Sequence, residues 1–201
     1  MPGGMSEDIV LKGRPEQLRE LISKVESRKL TDVLEKQVFE RADEEQILRE
    51  ISGEIVENFI YEFETKDGKK IVGLSYAGVK YFIQKMGYME VTGLEYSYNP
   101  ETKQWIAVAK VRDRLRDLET VGAAEANAFD EKGNLVPFAF RLAVHKAIRN
   151  AWRAQINDVA IAKIIKLYLE LRKKVGRKRA SERAVKKVVR EIIAERKARR
   201  S

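Results

Sequence analysis

Apolar and polar residues follow two different periods along this chain, and the places where the period changes mark out the elements. Residues 15 to 26 (PEQLRELISKVE), 31 to 40 (TDVLEKQVFE) and 43 to 51 (DEEQILREI) carry apolar residues at helical spacing, with Pro15 and Thr31 placed as helix starters. The period then drops to two. EIVENFIYEFETKDGKKIVGL, residues 54 to 74, alternates on both sides of Asp67-Gly68 and predicts a β-hairpin. Ser75 is placed to cap a helix through YAGVKYFIQKMG, whose Val79, Phe82, Ile83 and Met86 share one face and which Gly87 ends. Three strand-like runs follow with short connections: MEVTGLEYSY, a turn at Asn99-Pro100, QWIAVAKVRD, and LRDLETVGAA. The loop from Asn127 to Val136 connects them to a long helix, predicted from Pro137 to about Ile156.

This order predicts an α+β fold in which an antiparallel β-sheet is packed against helices on one face. It divides the chain into a helical N-terminal arm (1–53), an α+β core (54–171) and a basic helical tail (172–201).

At 100° per residue, Phe140, Ala143, Val144, Ala147, Ile148, Ala151 and Ala154 occupy one broad arc of the long helix. The alanines allow close approach to a sheet. Lys146, Arg149, Asn150 and Arg153 gather on another face, and Trp152, Leu142 and Phe138 flank them. An aromatic beside guanidinium groups suits single-stranded nucleic acid, because bases stack while phosphates pair with cations. The same residue types equally suit a solvated face with Trp152 in the core.

Charge sharpens the choice of partner. The formal net charge is +9, yet Arg172 to Ser201 hold fourteen Lys and Arg against three Glu, so residues 1 to 171 hold 26 basic against 28 acidic groups. An excess of this size in a short segment attracts polyanions, nucleic acid first among them, through phosphate contacts and counterion release. Within the tail, Ser181 is placed to cap a helix with Val185, Val188, Val189, Ile192 and Ile193 as its apolar stripe. Arg183, Lys186, Lys187, Arg190 and Lys197 surround that stripe. Gly176 within RKKVGRKRA predicts a flexible basic hinge, with Arg177, Lys178 and Arg179 as further phosphate contacts and docking on a neighbouring subunit as the tail's other use.

Several chemistries are disfavoured. The chain has no cysteine and a single histidine, His145, which argues against disulfides, thiol catalysis and histidine-built metal sites. His145 is expected to be structural or to face a phosphate. No GxxxxGK[ST] loop is present to cradle a nucleotide, and Glu119, Glu125 and Asp130 lack the matched basic residue of a nuclease. The expectation is a non-enzyme without metal or cofactor. No apolar run reaches membrane-spanning length and no secretory leader is recognisable, so a cytoplasmic location is expected, and 35% charged residues with few Asn and Gln lean toward a thermophile.

The succession KKIVGLSYAGVKYFIQKMGY, WIAVAKVRDRLRDLETVGAAEAN and FAFRLAVHKAIRNAWRAQIND resembles the single-strand annealing proteins related to the eukaryotic Rad fifty-two recombination mediator, with their phage and archaeal-virus relatives. The resemblance covers roughly residues 54 to 158. It implies a curved antiparallel sheet against the long helix, assembly into rings or filaments, and a basic groove that holds a single strand by its phosphates. In the matching segment, Arg149-Asn150-Ala151-Trp152-Arg153, the phosphate role falls on Arg149 and Arg153, while Asn150 stands where the family has a basic residue. Gly78 stands at another basic position of the family, with Lys80 and Lys85 nearby. The implied function is ATP-independent annealing of single-stranded DNA in recombination or repair by a homo-oligomer. A structural or regulatory nucleic-acid-binding protein, such as a viral transcription or packaging factor, is the competing expectation.

Overall fold

The computed structural model describes residues 37–64, 68 and 70–198. Two compact units divide between Val38 and Phe39. The helices expected over residues 15–26 and at 31–36 lie outside the described residues. Residues 39–51 are one continuous helix, α1, with no break at Arg41-Ala42, and they belong to the same unit as the core.

The second unit continues with β1 (Ile60–Glu64), β2 (Lys70–Leu74), α2 (Tyr76–Met86), β3 (Met89–Asn99), β4 (Gln104–Asp113), β5 (Leu118–Asn127), α3 (Ala139–Gln155), α4 (Asp158–Val175) and α5 (Arg177–Ala198). The fold is α+β, as the pattern predicts. The hairpin and the meander form two separate sheets, β1-β2 and β3-β4-β5, both antiparallel. Hairpin pairing starts only at Ile60, so the alternation over residues 54–59 yields no strand. Asp67 lies outside the described residues, while Gly68 has φ 77°, a conformation glycine adopts without strain.

Local signals set the ends of α2. The Ser75 hydroxyl accepts the Gly78 N–H, and Gly87 closes the helix in the left-handed region with its N–H on Ile83 O. A second layer of capping comes from α1: Asp43 accepts the Tyr76 N–H at 2.7 Å and Gln46 accepts the Ala77 N–H at 3.1 Å. Both side chains are buried, so they satisfy donors that water cannot reach.

Two apolar clusters hold the unit together. One joins Ile47 of α1, Tyr76, the β4 alanines Ala107 and Ala109, and Leu142, Ala143 and Ala147 of α3. The alanine row of α3 lies directly on the sheet: a Cβ at Gly122 of β5 would meet the Ala147 carbonyl and the Ala151 amide. Of the arc predicted to be buried, Ala143, Ala147 and Ala151 are fully buried, Phe140, Val144 and Ile148 half-buried, and Ala154 exposed. Leu142, expected beside the basic stripe, is in the core instead because α1 covers that side.

The other cluster joins α2, α4 and α5 through Val79, Phe82, Ile83, Ile161, Ile164, Tyr168, Val185, Val188 and Val189. The tail is therefore a packed part of the fold, not a swinging extension. Helix α4, bounded by the Asn157 side-chain cap and by Gly176, turns at that glycine into α5. Gly176 is a corner with φ 79°, and Ser181 lies inside α5, buried, with no partner for its hydroxyl among the described residues. Glu62 of β1 ties the hairpin to this layer, accepting the Tyr168 hydroxyl at 2.6 Å and pairing with Arg172.

Candidate nucleic-acid interface

Helix α3 carries the stripe singled out in the sequence, and the structure shows what each member touches. Lys146 is 6% exposed. Its ammonium lies 2.6 Å from Glu44, 3.0 Å from Glu40 and 2.9 Å from the carbonyl of Glu125. Arg149, also largely buried, pairs with Glu40 at 2.6 Å and Asp43 at 3.3 Å. Asn150 donates to the Ala123 carbonyl at 2.8 Å. The open stripe expected on α3 is thus closed: its cations face a row of carboxylates one helical turn apart on α1. Arg153 is the exception, half-exposed and 3.5 Å from the exposed Asp158.

The electrostatics of this contact run both ways. Burial raises the Glu40 carboxyl, but Arg149 and Lys146 outweigh it and leave Glu40 below its ordinary value. Asp43 is more deeply enclosed, and there burial outweighs the Arg149 charge and the Tyr76 amide, so its carboxyl is raised. His145, with Nδ1 3.1 Å from the Tyr76 hydroxyl, is pushed below its ordinary value by burial and sits in a structural contact.

The remaining expected positions divide similarly. Lys80 pairs with Glu50 at 2.6 Å, whereas Lys85 is exposed and lies over the Tyr81 ring. Gly78 has no room for the basic residue the resemblance implies there, because a Cβ would meet the carbonyl of Phe59. Trp152 packs against the cluster of α2, α4 and α5, the core alternative of the two its residue type allowed.

A second basic surface is built differently. Helices α4 and α5 together carry fourteen Lys and Arg against five acidic residues. Their apolar sides meet in the core, which forces the cations outward. Arg177 lies 3.9 Å from Glu62 and Lys178 3.6 Å from Glu57, both exposed enough to exchange partners. Lys163, Lys166, Lys173, Lys174, Arg179, Arg183 and Arg190 have no acidic partner among the described residues. A groove of about 580 Å³ runs between the two helices, floored by Leu167 and Leu171 and walled by Arg183, Lys186, Lys187 and Arg190 with Glu182 and Glu191. Lys186 is tied to Glu182, and Lys187 is 4.0 Å from Glu191, while Arg183 and Arg190 lie outside any salt bridge among the described residues. Arg179, Arg183 and Arg190 recur at helical intervals along one side of α5.

Legibility differed between the two surfaces. The tail's charge excess and its apolar stripe at Val185, Val188, Val189, Ile192 and Ile193 are readable from periodicity. Helix α4, with Lys163 and Lys166, was not separated from the core, although Asn157-Asp158 is a usable start signal. Among the described residues no group of three or more His, Asp or Glu side chains is arranged to hold a metal ion, and no helix is long and apolar enough to cross a membrane.

No protein-family model matches the chain, and no curated protein is significantly similar to it.

Proposed function

We propose that this chain binds single-stranded nucleic acid through the outward face of the α4–α5 hairpin and acts, as a homo-oligomer, in ATP-independent strand annealing. The observation that carries this reading is the charge of the hairpin: cations in excess nearly threefold over acids, most outside any salt bridge among the described residues, on a packed two-helix scaffold. A polyanion supplies the countercharge that the protein does not. Annealing requires only that phosphate repulsion be neutralised while bases stay free to pair, which needs neither a nucleotide site nor a metal. The resemblance in the order of elements supports the annealing part, and the contact surface moves from α3, where carboxylates hold the cations, to α4 and α5.

The test is fluorescence anisotropy with labelled single-stranded DNA over a salt series, followed by annealing of complementary oligonucleotides. The expected result is affinity that falls steeply with salt and faster annealing than in protein-free controls. Salt-insensitive or absent binding overturns the reading. Binding without any acceleration of annealing removes the annealing part and leaves a structural or regulatory nucleic-acid-binding protein.

A further inference from the structure

The three-stranded sheet has two edges, and the protein treats them differently. Ala128 N donates to Lys103 O just beyond the β4–β5 ladder. This fixes the alternation: even-numbered residues of β5 direct their backbone groups at β4, and odd-numbered ones direct them outward. Two of the outward carbonyls are Ala123 and Glu125. They are the ones that accept Asn150 Nδ2 and Lys146 Nζ of α3. One helical turn matches two residues of strand closely enough for an i, i+4 pair to reach both. Two polar side chains of the α3 stripe, Lys146 and Asn150, therefore cover part of this edge.

The β3 edge has no such cover. Arg114 N donates to Tyr88 O, and the bulge between Val91 and Gly93 then shifts the register, so that Gly93, Glu95, Ser97 and Asn99 face β4. Leu94, Tyr96 and Tyr98 direct their N–H and C=O groups outward, and no hydrogen bond from the described residues meets them. Their side chains are exposed too, Tyr96 at 59% although its ring meets Phe140 of α3 edge-on. An edge of this kind, with Leu94, Tyr96 and Tyr98 directed outward and no lysine or proline from Leu94 to Tyr98, is a template for another strand.

We propose that this edge pairs with β3 of a second copy of the chain, antiparallel about a two-fold axis through Tyr96. Three features select this partner and register. Two of the outward carbonyls of β5 already have partners, at Ala123 and Glu125, whereas no hydrogen bond from the described residues meets the outward groups of Leu94, Tyr96 and Tyr98, which favours β3–β3 over head-to-tail β3–β5 pairing. With Tyr96 on the axis, Leu94 faces Tyr98 of the copy, and all three outward residues exchange backbone hydrogen bonds; a shift toward Ser97 brings Pro100, which has no N–H, into the ladder. Charge decides the shift the other way: centring on Glu95 sets two carboxylates face to face, while the Tyr96 register sets Glu95 against Ser97. The result is a six-stranded sheet with β5 at both outer edges, each partly covered by Lys146 and Asn150. The inference rests on the oligomeric part of the reading above and not on nucleic-acid binding.

The chain has no cysteine, so one introduced thiol can only meet its own copy. A residue on the axis has its Cα about 5.5 Å from its mate, within disulfide range. Tyr96→Cys should form a covalent dimer under mild oxidation, while Val121→Cys, exposed on β5, should not. Tyr96→Lys should convert a dimer into a monomer in sedimentation velocity with its circular dichroism unchanged, and Tyr98→Lys serves if that variant misfolds. A wild-type chain that is monomeric at micromolar concentration overturns the proposal, as does an assembly that Tyr96→Lys leaves intact and Tyr96→Cys does not cross-link. Anisotropy with single-stranded DNA on the same samples separates the two readings: a dimer that does not bind DNA sinks only the nucleic-acid reading, and a monomer that binds sinks this one with the oligomeric part of the reading above and leaves nucleic-acid binding standing.

Discussion

Helices α3 and α5 look alike as sequences, each with an apolar stripe flanked by Lys and Arg, and they end in opposite electrostatic states. Lys146 and Arg149 of α3 face Glu40, Asp43 and Glu44 of α1 and are largely buried. Arg179, Arg183 and Arg190 of α5 face solvent with no acidic partner among the described residues. The difference teaches that a basic stripe is defined by what lies across from it. Cations that already neutralise carboxylates have little left for a phosphate, since a new partner must first displace the old one. Lys146 and Arg149 are structural, whereas Arg179, Arg183 and Arg190 lie outside any salt bridge among the described residues.

The largest effect that would break this comparison concerns Lys146. Taken as a solvated phosphate contact, Lys146→Ala would leave stability unchanged; with the pairing seen here it should cost about 2 to 3 kcal/mol in urea unfolding. An unfolding midpoint equal to wild type would return Lys146 to the surface. Next, replacing Arg183, Lys187 and Arg190 together with Gln removes up to three phosphate contacts. It should lower affinity for single-stranded DNA about tenfold or more at low salt and flatten the log–log salt slope by about 2. The same substitution should leave thermal unfolding nearly unaltered, because these side chains are outside the core.

Acid sharpens the comparison further. Glu40 has a folded value below its ordinary 4.5, so its contribution is fully present above that pH and is lost as pH falls through the folded value. Glu62, held down by Tyr168 and Arg172 against the opposing effect of burial, behaves in the same sense. Asp43, raised by burial, works in the opposite direction. Stability should therefore decline below about pH 4.5, and Glu40→Gln should make that decline shallower; parallel curves for the two chains would remove the α1–α3 pairing from the account. The smallest expected effect is at Arg153. Its Ala variant should change stability by less than about 0.5 kcal/mol and DNA affinity by less than the α5 triple variant, and a larger loss of binding than in α5 would restore α3 as the contact surface.

What was legible in the sequence was local. Ser75 and Gly87 bound α2 because a hydroxyl cap and a left-handed glycine act within one turn of where they stand. The period of two reveals the meander, and the Val185 to Ile193 stripe reveals the buried side of α5, since each pattern repeats within the element that uses it. The pairing of Lys146 with Glu44, 102 residues apart, has no local trace, and neither does the cover that Lys146 and Asn150 give to the β5 edge. The hinge that the sequence predicts at Gly176 is a packed corner for a related reason: whether a corner swings or packs depends on the apolar surface it meets, here Ile161, Ile164 and Tyr168 against Ala184, Val185 and Val188. Sequence alone determined which residues can form a helix, a strand, a cap or a cationic row, because those follow from dihedral preference and period. Only the tertiary structure decided which of the cations remain free, because Coulomb pairing and burial depend on distances between segments that the chain brings together by folding.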